Sequence, residues 1–154
     1  MKAVIQRVTS ASVSVNNEIV SSIGRGLCVL VGISRDDTQK DVEYIARKIV
    51  NLKLFSNDEA RWKKSVKDEN LEILCVSQFT LYSILKGNKL DFHCAMAPDE
   101  SKSFYEGFLS HLKSIYAADL VKDGAFGEYM QVQIQNDGPV TIELDSQPTK
   151  KNDE

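Results

Sequence analysis

A two-residue alternation of apolar and polar side chains occupies both ends of this chain, and it commits the fold to a sheet. In the opening segment Ala11, Val13 and Val15 interleave with Ser10, Ser12 and Ser14, and Val4, Gln6 and Val8 precede them with the same spacing. Towards the other end Met130, Val132 and Ile134 alternate with Gln131, Gln133 and Gln135. After Asn136-Asp137-Gly138-Pro139 the pattern resumes with Val140, Ile142 and Leu144 against Thr141, Glu143 and Asp145. Successive strand side chains point to opposite faces, so each run predicts a strand with one buried face. The Asn-Asp-Gly-Pro segment reads as a rigid turn between two strands: Asp-Gly turns easily, and Pro removes a backbone donor where pairing would resume.

The middle of the chain changes period. Residues 18–23 and the continuous apolar run 27–31, bracketed by Gly24, Gly26 and Gly32, predict two more strands, the second buried on both faces. Val42, Ile45, Ala46, Ile49 and Val50 share one helical face, and Thr38 with Asp41 three residues on resembles a capping box, which predicts a helix over 38–50. A second amphipathic helix follows Pro98, with Phe104, Phe108, Leu112 and Ile115 on one stripe and Tyr105, Leu109 and Tyr116 beside it. Between them a strand over 72–76 runs into Ser-Gln-Phe-Thr-Leu, followed by a Gly/Asn/Lys loop at 86–89. Grouped strands with two separate helices predict an α+β fold: a mainly antiparallel, barrel-like β-sheet with two main helices packed on it. With 42% hydrophobic residues, the chain suffices for a single domain over residues 1–145, followed by a short polar C-terminal tail at 146–154.

Several function classes drop out. No apolar run approaches the roughly 20 residues that span a bilayer, and MKAVIQRVTS lacks the basic-then-apolar pattern of a secretory signal, so no membrane partner and a cytoplasmic location are expected. Cys28, Cys75 and Cys94 are odd in number and show no C-x-x-C spacing, which predicts reduced, structural thiols. With only His93 and His111, no metal site and no cofactor are expected. A net charge of −3 argues against a broad phosphate-neutralising surface. Two local patches remain, Arg61, Lys63, Lys64 and Lys67 around Trp62, and Lys86 with Lys89; each reads equally as solvated loop charge.

Few residues offer acid–base or nucleophilic chemistry. Ser77 and Thr80 follow a buried strand, where a residue is fixed yet accessible, and are either nucleophiles or strand-end hydrogen bonders. No G-x-S-x-G elbow surrounds them, and His93 is the nearby candidate base. Asp91-Phe92-His93 could hold a general base, without a third member assignable from spacing. Gly124-Ala125-Phe126-Gly127 sets an aromatic between glycines where backbone can bend closely around a ligand. Gly138-Pro139 is either a plain turn or a wedge that shapes a pocket.

Taken in order, MKAVIQRV at 1–8, SQFTL at 77–81, KGNKLDFH at 86–93 and GAFGEYMQVQIQNDGPVTIELD at 124–145 closely resemble the D-aminoacyl-tRNA deacylases. SQFTL paired with N-x-G-P-V-T is a specific signature, because two short motifs in that order and spacing rarely coincide. The resemblance implies a hydrolase of translation quality control that cuts the ester at the 3′ end of D-aminoacyl-tRNA, and of glycyl-tRNA, while sparing L-aminoacyl-tRNA. It implies a homodimer in which a cis Gly138-Pro139 peptide projects into the partner subunit's pocket, braced by Arg7. Backbone groups of Ser77, Gln78, Phe79 and Thr80 are implied around the substrate, assisted by the substrate's own 2′-OH, with Phe126 and Met130 lining the pocket. Leu90 stands where relatives often carry proline. A sister group acting on L-alanine mischarged to tRNA has an altered SQFTL-like segment, so the intact Ser77-Gln78-Phe79 points to the D-specific branch. Two alternatives stay open: a non-catalytic nucleic-acid or replication-factor binding module, attributed to members with long charged C-terminal extensions, and a generic esterase using Ser77 or Thr80.

Overall fold

The opening alternation builds one strand of 14 residues, β1 (Lys2–Val15), against which the rest of the sheet assembles. A computed structural model describes residues 1–147, so the predicted tail lies outside the described residues from position 148 on. Asn16 and Asn17, at φ 50° and 65°, make the two-residue hairpin loop into β2 (Glu18–Ile23). Then β3 (Gly26–Gly32) returns antiparallel along the first half of β1. Helix α1 (Gln39–Asn51) and the single turn α2 (Val66–Glu69) lead to β4 (Glu72–Ser77), which is parallel to β3. A small hairpin of β5 (Ile84–Lys86) and β6 (Lys89–Asp91) precedes α3 (Pro98–Ile115), β7 (Val121–Asp123) and β8 (Gln131–Asp145).

The strand order is β2-β1-β3-β4-β7, with β8 also on β1. The sheet curls until its ends approach: Ser21 Oγ on β2 donates to the Asp123 carbonyl on β7 at 2.6 Å, and the Gly24 N–H donates to Glu72 Oε1 at 3.0 Å. This is the expected α+β, barrel-like single domain, with β3, β4 and β7 forming a parallel portion that periodicity alone did not separate out.

Two cores result. Leu27, Val29, Val31, Ile73 and Cys75 face α1 and α3, whereas Cys28, Leu74 and Val76 face the inside of the curl with Val8, Ala11, Val13 and Ile23. Both faces of β3 and β4 are therefore covered, which is why their sequences are continuous apolar runs. Ala3 and Ile5 serve the helix-side core and Ala11 and Val13 the inner one; an irregular register between Val8 and Ser10 moves the odd positions to the other face. The Asp41 carboxylate accepts the Thr38 N–H at 2.8 Å and caps α1, whose apolar face is buried as predicted. On α3 the buried residues are Tyr105, Phe108, Leu109 and Leu112, all on the predicted stripe or beside it, and Phe104, Ile115 and Tyr116 pack half-buried against the same core. Phe108 is fully buried, and its truncation to Ala would cost about 3–5 kcal/mol.

Two local expectations change. The loop at 86–89 is the tip of the β5–β6 hairpin, turning at Gly87-Asn88. The segment 136–139 does not join two strands but interrupts one. Gln6 pairs with Thr141 and Val8 with Asn136, so residues 137–140 stand opposite Arg7 alone as an outward bulge. A single partner strand templates both halves of β8, and a local pattern cannot distinguish that from a hairpin. The Gly138-Pro139 peptide is cis. Among the described residues no helix is long and apolar enough to cross a membrane.

Candidate functional site

At the end of β4 the sheet opens into a cavity of about 640 Å³. It is lined by Val76, Ser77, Gln78 and Phe79 from the end of β4, by Phe92, by residues 95–98 and Ser101 at the start of α3, and by Phe126, Met130 and Val132. The C-terminal edge of parallel strands is where backbone groups run out of partners, and here pairing ends in steps. The Gln78 N–H still donates to the Val31 carbonyl at 2.7 Å, after which the chain tightens into a 3-10 turn, Phe79–Tyr82. The Leu81 N–H closes on the Gln78 carbonyl at 3.3 Å, leaving the N–H groups of Phe79 and Thr80 ahead of the first intrahelical bond.

Phe79 is 56% exposed and meets Phe92 edge to face, with centroids 5.0 Å apart. Two aromatic rings thus rim a largely apolar cleft. Thr80 does not line it: its hydroxyl accepts Gln78 Nε2 at 2.5 Å, which ties the turn together. Met130 folds back so that its sulfur accepts the Ala125 N–H at 3.3 Å. That approach requires Gly124, because a Cβ there would lie 2.9 Å from the Met130 sulfur. Phe126 rests on Tyr105, centroids 5.7 Å apart, and the Tyr105 hydroxyl donates to Asp123 at 2.7 Å. Burial pushes the Asp123 carboxyl up, although this hydrogen bond works against the shift.

The cavity is poor in ionisable groups. Of its described lining residues only Glu128 is titratable, and it is exposed. His93 does not reach the cleft; its Nδ1 pairs with Asp91 on the exposed hairpin, where Lys86 also binds Asp91 at 2.9 Å. The hydrogen bond from Lys86, then those from His93, hold the Asp91 carboxyl well below the usual range. This triad fastens the hairpin and offers the cavity no base. Burial raises the Cys28 thiol to about 11 and raises Cys75 further, so neither is a ready thiolate. Among the described residues no group of three His, Cys, Asp or Glu could hold a metal.

Arg7, Gly138 and Pro139 form a separate cluster outside the cavity lining. Gly138 takes φ 124°, and a Cβ there would lie 3.0 Å from Arg7 Nη2. Ser77, Gln78, Phe79, Phe126 and Met130 are therefore brought together in one chain, whereas the bulge and its arginine are not brought to them. The α3 wall of Met96, Ala97 and Ser101 had no sequence signal beyond Pro98 as a helix start, since nothing local links that turn to β4.

A family model described as D-Tyr-tRNA(Tyr) deacylase matches residues 4–145. A Bos taurus protein named D-aminoacyl-tRNA deacylase 1 is 61% identical over 147 residues, covering 95% of this chain and 70% of the relative. A Drosophila melanogaster D-aminoacyl-tRNA deacylase is 60% identical over 153 residues, covering 99% of this chain and 97% of its own length. A solved structure named c-Myc DNA Unwinding Element Binding Protein superposes with a TM-score of 0.92 at 59% identity, covering 97% of this chain and all of the other.

Proposed function

The chain belongs to the D-Tyr-tRNA(Tyr) deacylase family, and from that premise we propose that it is a homodimeric hydrolase that cuts the ester between a D-amino acid, or glycine, and the 3′ end of tRNA. The observation that carries this reading is the cavity itself: the strand end Ser77 to Phe79, Phe126 and Met130 converge on one apolar cleft that, among the described residues, holds no histidine, lysine or cysteine. Such a site suits a substrate that brings polar groups of its own. Water attacks the ester carbonyl, the N–H of Phe79 in the lining, with that of Thr80 next to it in the turn, holds the developing oxyanion, and collapse releases the amino acid carboxylate and the 3′-OH. The neighbouring 2′-OH of the terminal adenosine orients the water, an effect of proximity worth several kcal/mol without any protein side chain.

Chirality is assigned to the bulge. Sparing L-aminoacyl-tRNA a thousandfold takes about 4 kcal/mol, and the loss of a methylene contact supplies only about 1–3. A backbone obstacle where the L side chain must sit can exceed that. In the homodimer Gly138-Pro139 of one protomer provides the obstacle in its partner's cavity, steadied by Arg7. Glycine has no side chain to reject and is accepted.

Incubation with D-tyrosyl-, L-tyrosyl- and glycyl-tRNA, following ester loss, tests the reading: the first and third should be cleaved and the second spared. The name of the solved relative favours a second reading, binding of a DNA unwinding element. Tight binding of such DNA with no ester loss from any of the three substrates would replace the first reading by the second.

A further inference from the structure

The aromatic and basic segment around Trp62 lines no part of the cavity, yet it is firmly held. The Phe55 N–H donates to the Lys64 carbonyl at 2.9 Å, and the N–H groups of Lys63 and Lys64 both donate to the Phe55 carbonyl at 2.9 Å. Asn57 Oδ1 accepts from the Glu59 and Ala60 N–H groups at 3.0 and 2.7 Å, closing the loop tip. On this loop Trp62 sits at φ 61° with 52% of its surface in solvent. A bulky L residue rarely takes that backbone conformation, and an indole gains by burial. The loop holds its largest apolar group outward against both preferences, and strain of this kind gathers at ligand contacts.

The surroundings indicate what the indole meets. Arg61 and Lys63 flank it and are exposed, as are Lys53 and Lys67; Asp58 and Glu59 lie at the loop tip, and Lys64 is paired with Glu69 at 3.0 Å. Arg7 Cζ lies 5.8 Å from the indole centroid, and the same guanidinium abuts Gly138. Trp62 is thereby fixed to the base of the 137–140 bulge.

We propose that Trp62 is a stacking platform for a base of the single-stranded 3′ end of tRNA, with Arg61 and Lys63 against its phosphates. The proposal rests on the deacylase reading. If the bulge enters the partner's cavity, Trp62 travels with it to the rim, and an ester seated inside leaves the nucleotides before the terminal adenosine outside. Stacking on an aromatic ring tolerates any base, because every base has a π face. A compact contact also fits a chain of net charge −3, which lacks the cationic surface to hold an RNA body by phosphate neutralisation.

Trp62 is the sole tryptophan of the chain, so its emission reports on this loop alone. Intact protein is titrated with deacylated tRNA and with the same tRNA trimmed of its single-stranded 3′ nucleotides, with filter binding in parallel. Intact tRNA should quench the emission along the filter-binding curve, trimmed tRNA should not, and added salt should weaken the effect. Trp62→Ala should raise the KM for D-tyrosyl-tRNA about tenfold, within the range of one base–aromatic stack, while kcat falls less than threefold; Trp62→Phe should restore most of the KM. Filter-bound tRNA with unchanged emission, absence of tRNA binding, or a parental KM in Trp62→Ala overturns the proposal. So does an indole shielded from acrylamide in the RNA-free dimer, which would assign it to the subunit interface. Quenching without ester cleavage removes the deacylase reading and leaves the stacking contact; cleavage without quenching does the reverse.

Discussion

Arg7 Nε donates to the carbonyl oxygen of Asp137 at 3.2 Å, joining the opening strand to the shoulder of the bulge. The same guanidinium donates through Nη1 to the Leu54 carbonyl at 2.7 Å and lies 3.5 Å from the Asp137 carboxylate. One planar fork thus holds two carbonyls at once, Asp137 through Nε and Leu54 through Nη1, at the point where a single residue of β1 faces four of β8. Lysine has the charge but not the fork. Arg7→Lys should therefore orphan at least one partly buried carbonyl, at about 1–3 kcal/mol, and lower Tm by about 2–12 °C at roughly 2–4 °C per kcal/mol. Calorimetry decides this, and a Tm within 1 °C of the parent would mean that the bulge does not depend on Arg7.

Gly138→Ala attacks the bulge from the other side. At φ 124° an alanine is strained, and its Cβ would meet Arg7 Nη2 and Val140 Cγ2 at 3.0 Å each. The bulge should shift, so D-tyrosyl-tRNA cleavage should fall at least tenfold and the ratio of D to L rates should narrow. Single-turnover rates on the two diastereomers measure both quantities. An unchanged ratio would remove Gly138-Pro139 from chiral selection.

Assembly follows from the same placement. If the bulge is the chiral filter, a monomer would have a cleft without it, because the bulge lies outside the cavity lining of its own chain. Light scattering should report twice the mass of one chain, and dilution below the dissociation constant should relax selectivity together with mass. A selective monomer would place the filter within one subunit.

These relationships divide what the sequence discloses from what it does not. Thr38 with Asp41, Pro98 and the alternating runs were legible because capping and amphipathicity are local. The continuity of β8 was not: Val140, Ile142 and Leu144 have the same pattern whether they pair with β1 or fold back on residues 130–135. Met96 and Ser101 reach the cavity only because α3 docks across the end of β4, a consequence of packing. Ser77 to Phe79, Phe126 and Met130 were placed on a pocket by family resemblance, and the catalytic residue types that usually betray a site are missing from it.

Asp41 gives a pH test of the fold. Burial opposes its ionisation, yet the Ser146 hydroxyl at 2.7 Å and the Thr38 N–H at 2.8 Å hold its pKa below the usual carboxylate value. A carboxyl with a depressed folded pKa stabilises the protein above its unfolded pKa of about 3.9, and that contribution is lost as pH falls through the folded value. Asp41→Asn should therefore cost about 1 kcal/mol, as caps generally do, at pH 6, with the difference from the parent shrinking below pH ~3.5. Urea midpoints at both pH values check it; an equal deficit at both would assign the loss to packing.

The origin of the catalytic groups is the sharpest test of the site. Among the described residues Ser77 lines the cavity with no histidine or lysine, and the one carboxylate of the lining, Glu128, is exposed; the Thr80 hydroxyl is engaged by Gln78 Nε2 outside the lining. A side-chain nucleophile needs a base within hydrogen-bond reach, and the nearest histidine in sequence, His93, is spent on Asp91 at the exposed hairpin. The backbone N–H groups of Phe79 and Thr80, by contrast, survive any substitution at these positions other than proline. Ser77→Ala and Thr80→Ala should then retain D-tyrosyl-tRNA cleavage within about tenfold, since losing a single hydrogen bond worth ~1 kcal/mol cannot abolish turnover. A tRNA ending in 2′-deoxyadenosine should bind with similar affinity and be hydrolysed at least a hundredfold more slowly, because the group that orients the water is gone. Single-turnover rates on both substrates separate the mechanisms. A thousandfold loss in Thr80→Ala or Ser77→Ala, with normal turnover of the deoxy substrate, would restore a protein nucleophile and end the argument for assistance by the RNA.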